Sequence, residues 1–117
     1  MSAAIERWEC DPKLSDMVRH GGVLYLAGQI PENLAADAEG QTTEVLGLID
    51  RLLAKAGSNK SKLLSAVIFI ADMRDKPKID AAWLKWADPR SLPARAVVEA
   101  RLLSDDTRVE IVCTAAV

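Results

Sequence analysis

Two charged side chains fall where a strand pattern would carry apolar ones. In SLPARAVVEARL, residues 91–102, Arg95 stands just after a proline, at the mouth of a run of β-forming residues. In RVEIVC, residues 108–113, Glu110 stands between valine and isoleucine. A guanidinium is a planar fork of donors that matches a carboxylate. A carboxylate among apolar neighbours is partly stripped of solvent and can orient or polarise a water. The chemistry this pair could do is attack by water on a small carboxylic acid. The ordinary alternative is two solvated surface charges, worth roughly 0 to 1 kcal/mol if they pair with a neighbour such as Glu99.

Other chemistries lack their residues. His20 is the single histidine and sits beside a Gly-Gly turn, so a Ser-His-Asp or Cys-His mechanism has one isolated candidate base. Zinc sites need clustered Cys and His, and phosphate sites need glycine-rich loops; the sequence has neither. Asp72 and Asp75 are close in sequence, but Asp75 reads better as a helix N-cap than as a metal ligand. Cys10 and Cys113 form no CxxC pair and read as reduced thiols, at least one packed in a strand. The three tryptophans read as core or interface. With a net charge of −2 and a pI of about 5.4, no broad basic face is available for nucleic acid. The longest wholly apolar run, Ala66 to Ala71, is too short to span a bilayer. Glu6, Arg7 and Glu9 stand where a signal peptide would be apolar. The expectation is a cytosolic protein.

The elements that must position Arg95 and Glu110 follow from periodicity. The 117 residues suit one domain, read over 1–117. Residues 3–9 and 14–19 read as strands or extended arms, Gly21-Gly22 as a turn, and 23–29 as a strand. From Thr42 to Ala56, Val45, Leu46, Ile49, Leu52 and Leu53 make one helical stripe, and Gly57 follows as the residue that ends it. Residues 62–73 form a continuous apolar strand. Asp75 and Pro77 open a second helix striped by Ile79, Ala82, Trp83 and Trp86, which DPRSLP breaks. Strands over 94–102 and 108–116 close the chain. The class is α+β, with two helices on one face of a sheet. The other face, apolar and without helices, predicts oligomerisation. In the strand over 94–102, Arg95, Val97, Glu99 and Arg101 share one face. Were the last two strands a hairpin, Arg95 would lie on the order of 17 Å from the partner of Glu110, so pairing them needs another strand order or a subunit interface.

The ordered set LYLAGQIPENL, AKAGS, LLSAVIFIADM, PARAVVEARL and RVEIVCTAAV resembles the YjgF/RidA family, the reactive intermediate (enamine/imine) deaminases. PENL and GSNKS place it near the family's YoaB-like branch. The resemblance covers the chain from about residue 14 onward. It implies a mixed sheet folded like Bacillus chorismate mutase, a homotrimer with ligand sites between subunits, and a last pair of strands that are not neighbours. It implies hydrolysis of small enamines or imines, of the 2-aminoacrylate/2-iminopropanoate type, to 2-keto acids and ammonia. No cofactor or metal is implied, because the imine carbon is already electrophilic. Arg95 matches the family arginine that holds the substrate carboxylate, and Glu110 the glutamate that positions water. Val97 matches the residue whose backbone N–H meets the ligand, and Gly28 the loop glycine lining the cleft. Four rim positions depart from the family pattern. Val97 replaces a frequent cysteine, Leu14 an aromatic, Ala27 a serine or threonine, and Asp80 an asparagine. That altered rim keeps a second reading open: a non-enzymatic regulatory or chaperone-like module of the same fold that binds a small carboxylate or a protein partner. A nuclease role is also associated with the family, and the acidic charge and lone histidine argue against it here.

Overall fold

A computed structural model describes residues 4–117; residue 3 of the arm expected over 3–9 lies outside them. The strands are β1 (Ile5–Cys10), β2 (Ser15–His20), β3 (Val23–Leu26), β4 (Leu63–Ile70), β5 (Ala94–Glu99) and β6 (Val109–Ala116), and the helices are α1 (Ala38–Lys55) and α2 (Lys76–Trp86). They build one six-stranded sheet in the order β1-β2-β3-β6-β4-β5. Every neighbouring pair is antiparallel except β4 and β5. That parallel pair is joined through α2, the crossover such pairing requires. The α+β class stands, and the last two strands are separated by β4, so the hairpin objection falls.

Both helices lie on one face. Val45, Leu46, Ile49, Leu52 and Leu53 of α1 are buried against Ile68, Ile70, Ile111 and Cys113 of the sheet, with Ile79 and Trp83 from α2. Burying each such side chain contributes roughly 1.5–3 kcal/mol. Gly57 ends α1 as expected, at φ +74°. Its N–H reaches Ala54 O at 3.0 Å and that of Ser58 reaches Leu53 O at 2.9 Å, the Schellman pattern.

Several features differ from the sequence expectation, among them the strands expected over 23–29 and 62–73, which end at Leu26 and Ile70. Helix α1 begins four residues before Thr42, because the Asp37 carboxylate accepts from Gly40 N at 2.9 Å and starts the helix in a stretch that Gly40 makes look loop-like. The strand expected over 94–102 stops at Glu99, since β4 ends at Ile70 and offers nothing further to pair with. Asp75 is not a side-chain cap: its backbone is helical (φ −81°, ψ −8°) and its carboxylate makes no capping bond. That carboxylate faces Arg108 Nη1 at 3.6 Å instead. The capping falls to Asp72, which accepts from Arg74 N at 2.9 Å at the head of a short 3-10 turn. Bonds from the Arg74 guanidinium and backbone N–H hold the Asp72 carboxyl at about 2.

The second face of the sheet carries no helix. Its rungs are read from the registers: Tyr25, Thr114, Ser65 and Ala94 in one; Val112, Val67 and Ala96 in the next; Glu110, Phe69 and Val98 in the third. Val67, Phe69 and Val112 are half-buried, and Tyr25 is 50 % exposed. The continuous apolar character of 62–73 therefore reflects one helix-covered face and one bare face.

Candidate functional site

Arg95 is the second residue of the edge strand β5, paired with Ala66 of β4. Ala66, Ile68 and Ile70 form the helix-facing side of β4, so Arg95, Val97 and Glu99 face the helices as well. The guanidinium lies over the Trp83 ring, 5.3 Å from its centroid. Its Nη2 donates to Asp80 Oδ1. The other oxygen of Asp80 accepts from Lys76 Nζ at 2.6 Å. Lys76, Asp80 and Trp83 fall on one side of α2 by the i, i+4 and i, i+3 spacings, which brings all three to the β5 edge. Burial pushes the Asp80 carboxyl up, but the bonds from Lys76 and Arg95 outweigh it and hold it below the usual carboxylate range.

Val97 is half-buried and packs against the core, opposite Ile68. Ala100 N donates to Ile70 O. By alternation, Ala96 and Val98 also turn their N–H groups to β4, and Val97 turns its own outward along the free edge. Arg95 and Val97 thus offer a guanidinium and a backbone donor two residues apart at one rim of the sheet.

Glu110 lies elsewhere. It is half-buried on the bare face, opposite Phe69. Beyond it the chain after β3 is held to β6 by the mutual bonds of Gln29 and Ile111, at 2.9 and 3.1 Å. This sets Gly28 against the Glu110 carboxylate: a Cβ at Gly28 would run into Oε2 and stand 2.9 Å from Cδ. Gly28 is a glycine for reasons of space. Ala27, half-buried, is fixed beside it by its N–H to Asp16 O at 2.8 Å. Leu14 is exposed in the β1–β2 turn, toward the opposite edge of the sheet from β5.

Within one chain the expected site residues therefore form separate groups. Gly28, Ala27 and Glu110 lie together on the bare face, Arg95, Val97 and Asp80 meet at the β5 edge, and exposed Leu14 lies two residues before Asp16, whose carbonyl accepts from Ala27. Glu110 and Arg95 are two strands apart on opposite faces, with Arg95 three residues from Val98 on the Glu110 rung, or about 14 Å between backbones. The sequence reading treated Asp80 only as an altered rim residue and Trp83 only as core. Their engagement of Arg95 was missed, although the Lys76/Asp80/Trp83 spacing was the available signal.

A small α+β domain with two helices on one side of a six-stranded mixed sheet is a fold shared with solved YjgF-family structures. The chain belongs to this family: residues 5–117 match the family model described as Endoribonuclease L-PSP. It is 49% identical over 112 residues to a "RutC family protein" of Haemophilus influenzae, spanning 95% of this chain and 97% of that one. It is 43% identical to the RutC family protein YoaB of Escherichia coli, spanning 97% and 98%. The crystal structure of a YjgF-family protein from Neisseria meningitidis superposes with a TM-score of 0.96 at 40% identity, covering 99% of this chain and 97% of that one. Among the described residues no helix is long and apolar enough to cross a membrane.

Proposed function

We propose that this protein hydrolyses small enamines and imines of the 2-aminoacrylate/2-iminopropanoate type to 2-keto acids and ammonia. The observation that carries the reading is the β5 edge, where Arg95 and the outward N–H of Val97 form a donor pair for a planar carboxylate. Water adds to the imine carbon, forming a C–O bond as the C=N π bond breaks and the nitrogen takes a proton. The carbinolamine then expels ammonia, leaving the ketone, and no redox step or cofactor is called for. Glu110 orients the attacking water, takes a proton from it and passes it to the nitrogen, and the carbinolamine hydroxyl proton follows the same route as ammonia leaves; Gly28 gives that carboxylate its space. Because Arg95 and Glu110 sit on opposite faces of one chain, the working site lies between copies of a homotrimer. There the β5 edge of one copy meets the bare face of another, and Leu14 and Ala27 line the same cleft.

The test is a coupled assay: 2-aminoacrylate is generated from serine by a dehydratase, and pyruvate release is followed with and without this protein. Acceleration is expected. Arg95→Ala should remove roughly 3 kcal/mol of charge-assisted binding, or about 100-fold in kcat/KM, with the fold intact. A variant as fast as wild type would sink the reading. The altered rim, with Leu14 and Ala27, motivates a second reading, a keto-acid-binding module without turnover. That reading takes over if calorimetry shows pyruvate binding while the assay shows no acceleration.

A further inference from the structure

The carboxylate clamp is not empty. Asp80 holds Arg95 through Oδ1 alone, while Lys76 Nζ takes Oδ2 at 2.6 Å. A guanidinium and a carboxylate pair best through two parallel bonds, and a single-oxygen contact is the weaker arrangement. Lys76 therefore keeps Asp80 from closing both oxygens on Arg95. The pair is also partly open to solvent, with the Arg95 and Asp80 side chains 24% and 26% exposed. The Trp83 ring supports the guanidinium from α2, so Arg95 need not swing away for Asp80 to let go.

We infer that Asp80 is a resident, displaceable carboxylate that competes with the ligand for Arg95, and that Lys76 keeps it displaceable. Asp80 thereby sets the affinity of the site and favours ligands that present a planar carboxylate able to engage two nitrogens at once. This rests on the carboxylate-clamp reading of Arg95. It makes Asp80 and Lys76 specificity-determining residues that do not touch the reacting atoms.

Calorimetry with pyruvate on the full-length protein tests it, because the sign of each change decides. Asp80→Asn keeps the shape but weakens the internal competitor, and should tighten binding roughly two- to fivefold, the range expected for releasing one partly exposed ion pair. Lys76→Met frees Asp80 to close on Arg95 with both oxygens and should weaken binding. If Asp80 merely props Arg95 in place, Asp80→Asn weakens binding instead. That result, or an unchanged affinity in either variant, overturns the inference while leaving the clamp intact. If Arg95→Ala binds pyruvate as well as wild type does, or if neither wild type nor Asp80→Asn binds it, the clamp reading itself falls and takes this one with it. Binding by Asp80→Asn alone is the strongest form of support.

Discussion

A side chain at position 28 and the Glu110 carboxylate cannot occupy the same space, so Gly28 decides where that carboxylate lies. The clash falls on the far end of a flexible side chain, which moves at little cost to the fold. Gly28→Ala should therefore leave the melting temperature within a few degrees of wild type, while displacing Glu110 and lowering imine hydrolysis by about tenfold or more. Thermal melts alongside the coupled assay check both halves; full activity in a folded variant would detach Glu110 from the chemistry. Arg95 and Glu110 were legible at this scale because a charge within an apolar run is conspicuous. The grip of Asp80 on Arg95 was not. Helical spacing tells which residues share a side of α2, but not that this side meets the β5 edge, since that depends on a β4–β5 pairing between segments about 30 residues apart.

At the scale of elements, the stripe of α1 and the alternation within β5 and β6 were readable because burial on one face imposes them. The strand order was not. β6 inserts between β3 and β4, and no local pattern encodes which edge a final strand will choose. Its position explains Cys113, which is buried on the helix side of β6. Burial pushes that thiol up from the ordinary 9.0 to about 12. Between those values the unfolded chain has released the proton and the folded chain has not. The contribution is thus intact below pH 9 and lost as pH rises toward 12, on the order of 4 kcal/mol in full. Wild type should lose stability between pH 8 and about 10.5 more steeply than Cys113→Ala, as read from urea unfolding at each pH. Parallel losses would mean that other groups govern alkaline unfolding. In the native state exposed Cys10 should react with iodoacetamide while Cys113 does not.

For the whole molecule, the decisive feature is a slab, 48 × 37 × 20 Å, with a helix layer on one side and, among the described residues, no helix on the other. The bare face pairs Val112 with Val67 and Ala96 at its centre, flanked by Phe69, Val98 and Tyr25. An apolar sheet face of this kind is ordinarily covered, and no helix among the described residues covers it, so the proposed trimer would cover it with another copy. The same association is what the proposed site needs, because one chain keeps Arg95 and Glu110 apart. The two requirements can be tested by one substitution. Val112→Asp places a charge at the centre of the face, away from Arg95 and the helix-side core and one rung from Glu110, and burying that charge between copies would cost several kcal/mol. Light scattering behind size exclusion should give wild type at three times the 12.7 kDa chain mass and Val112→Asp at or near the mass of one chain. Its circular dichroism should be close to wild type, and its imine hydrolysis should be lost. A wild type that runs as a single chain and still accelerates pyruvate release would break the link. The inter-subunit site would then be wrong, and Arg95 and Glu110 could not serve one reaction. A Val112→Asp trimer with full activity would place the interface on another surface of the slab.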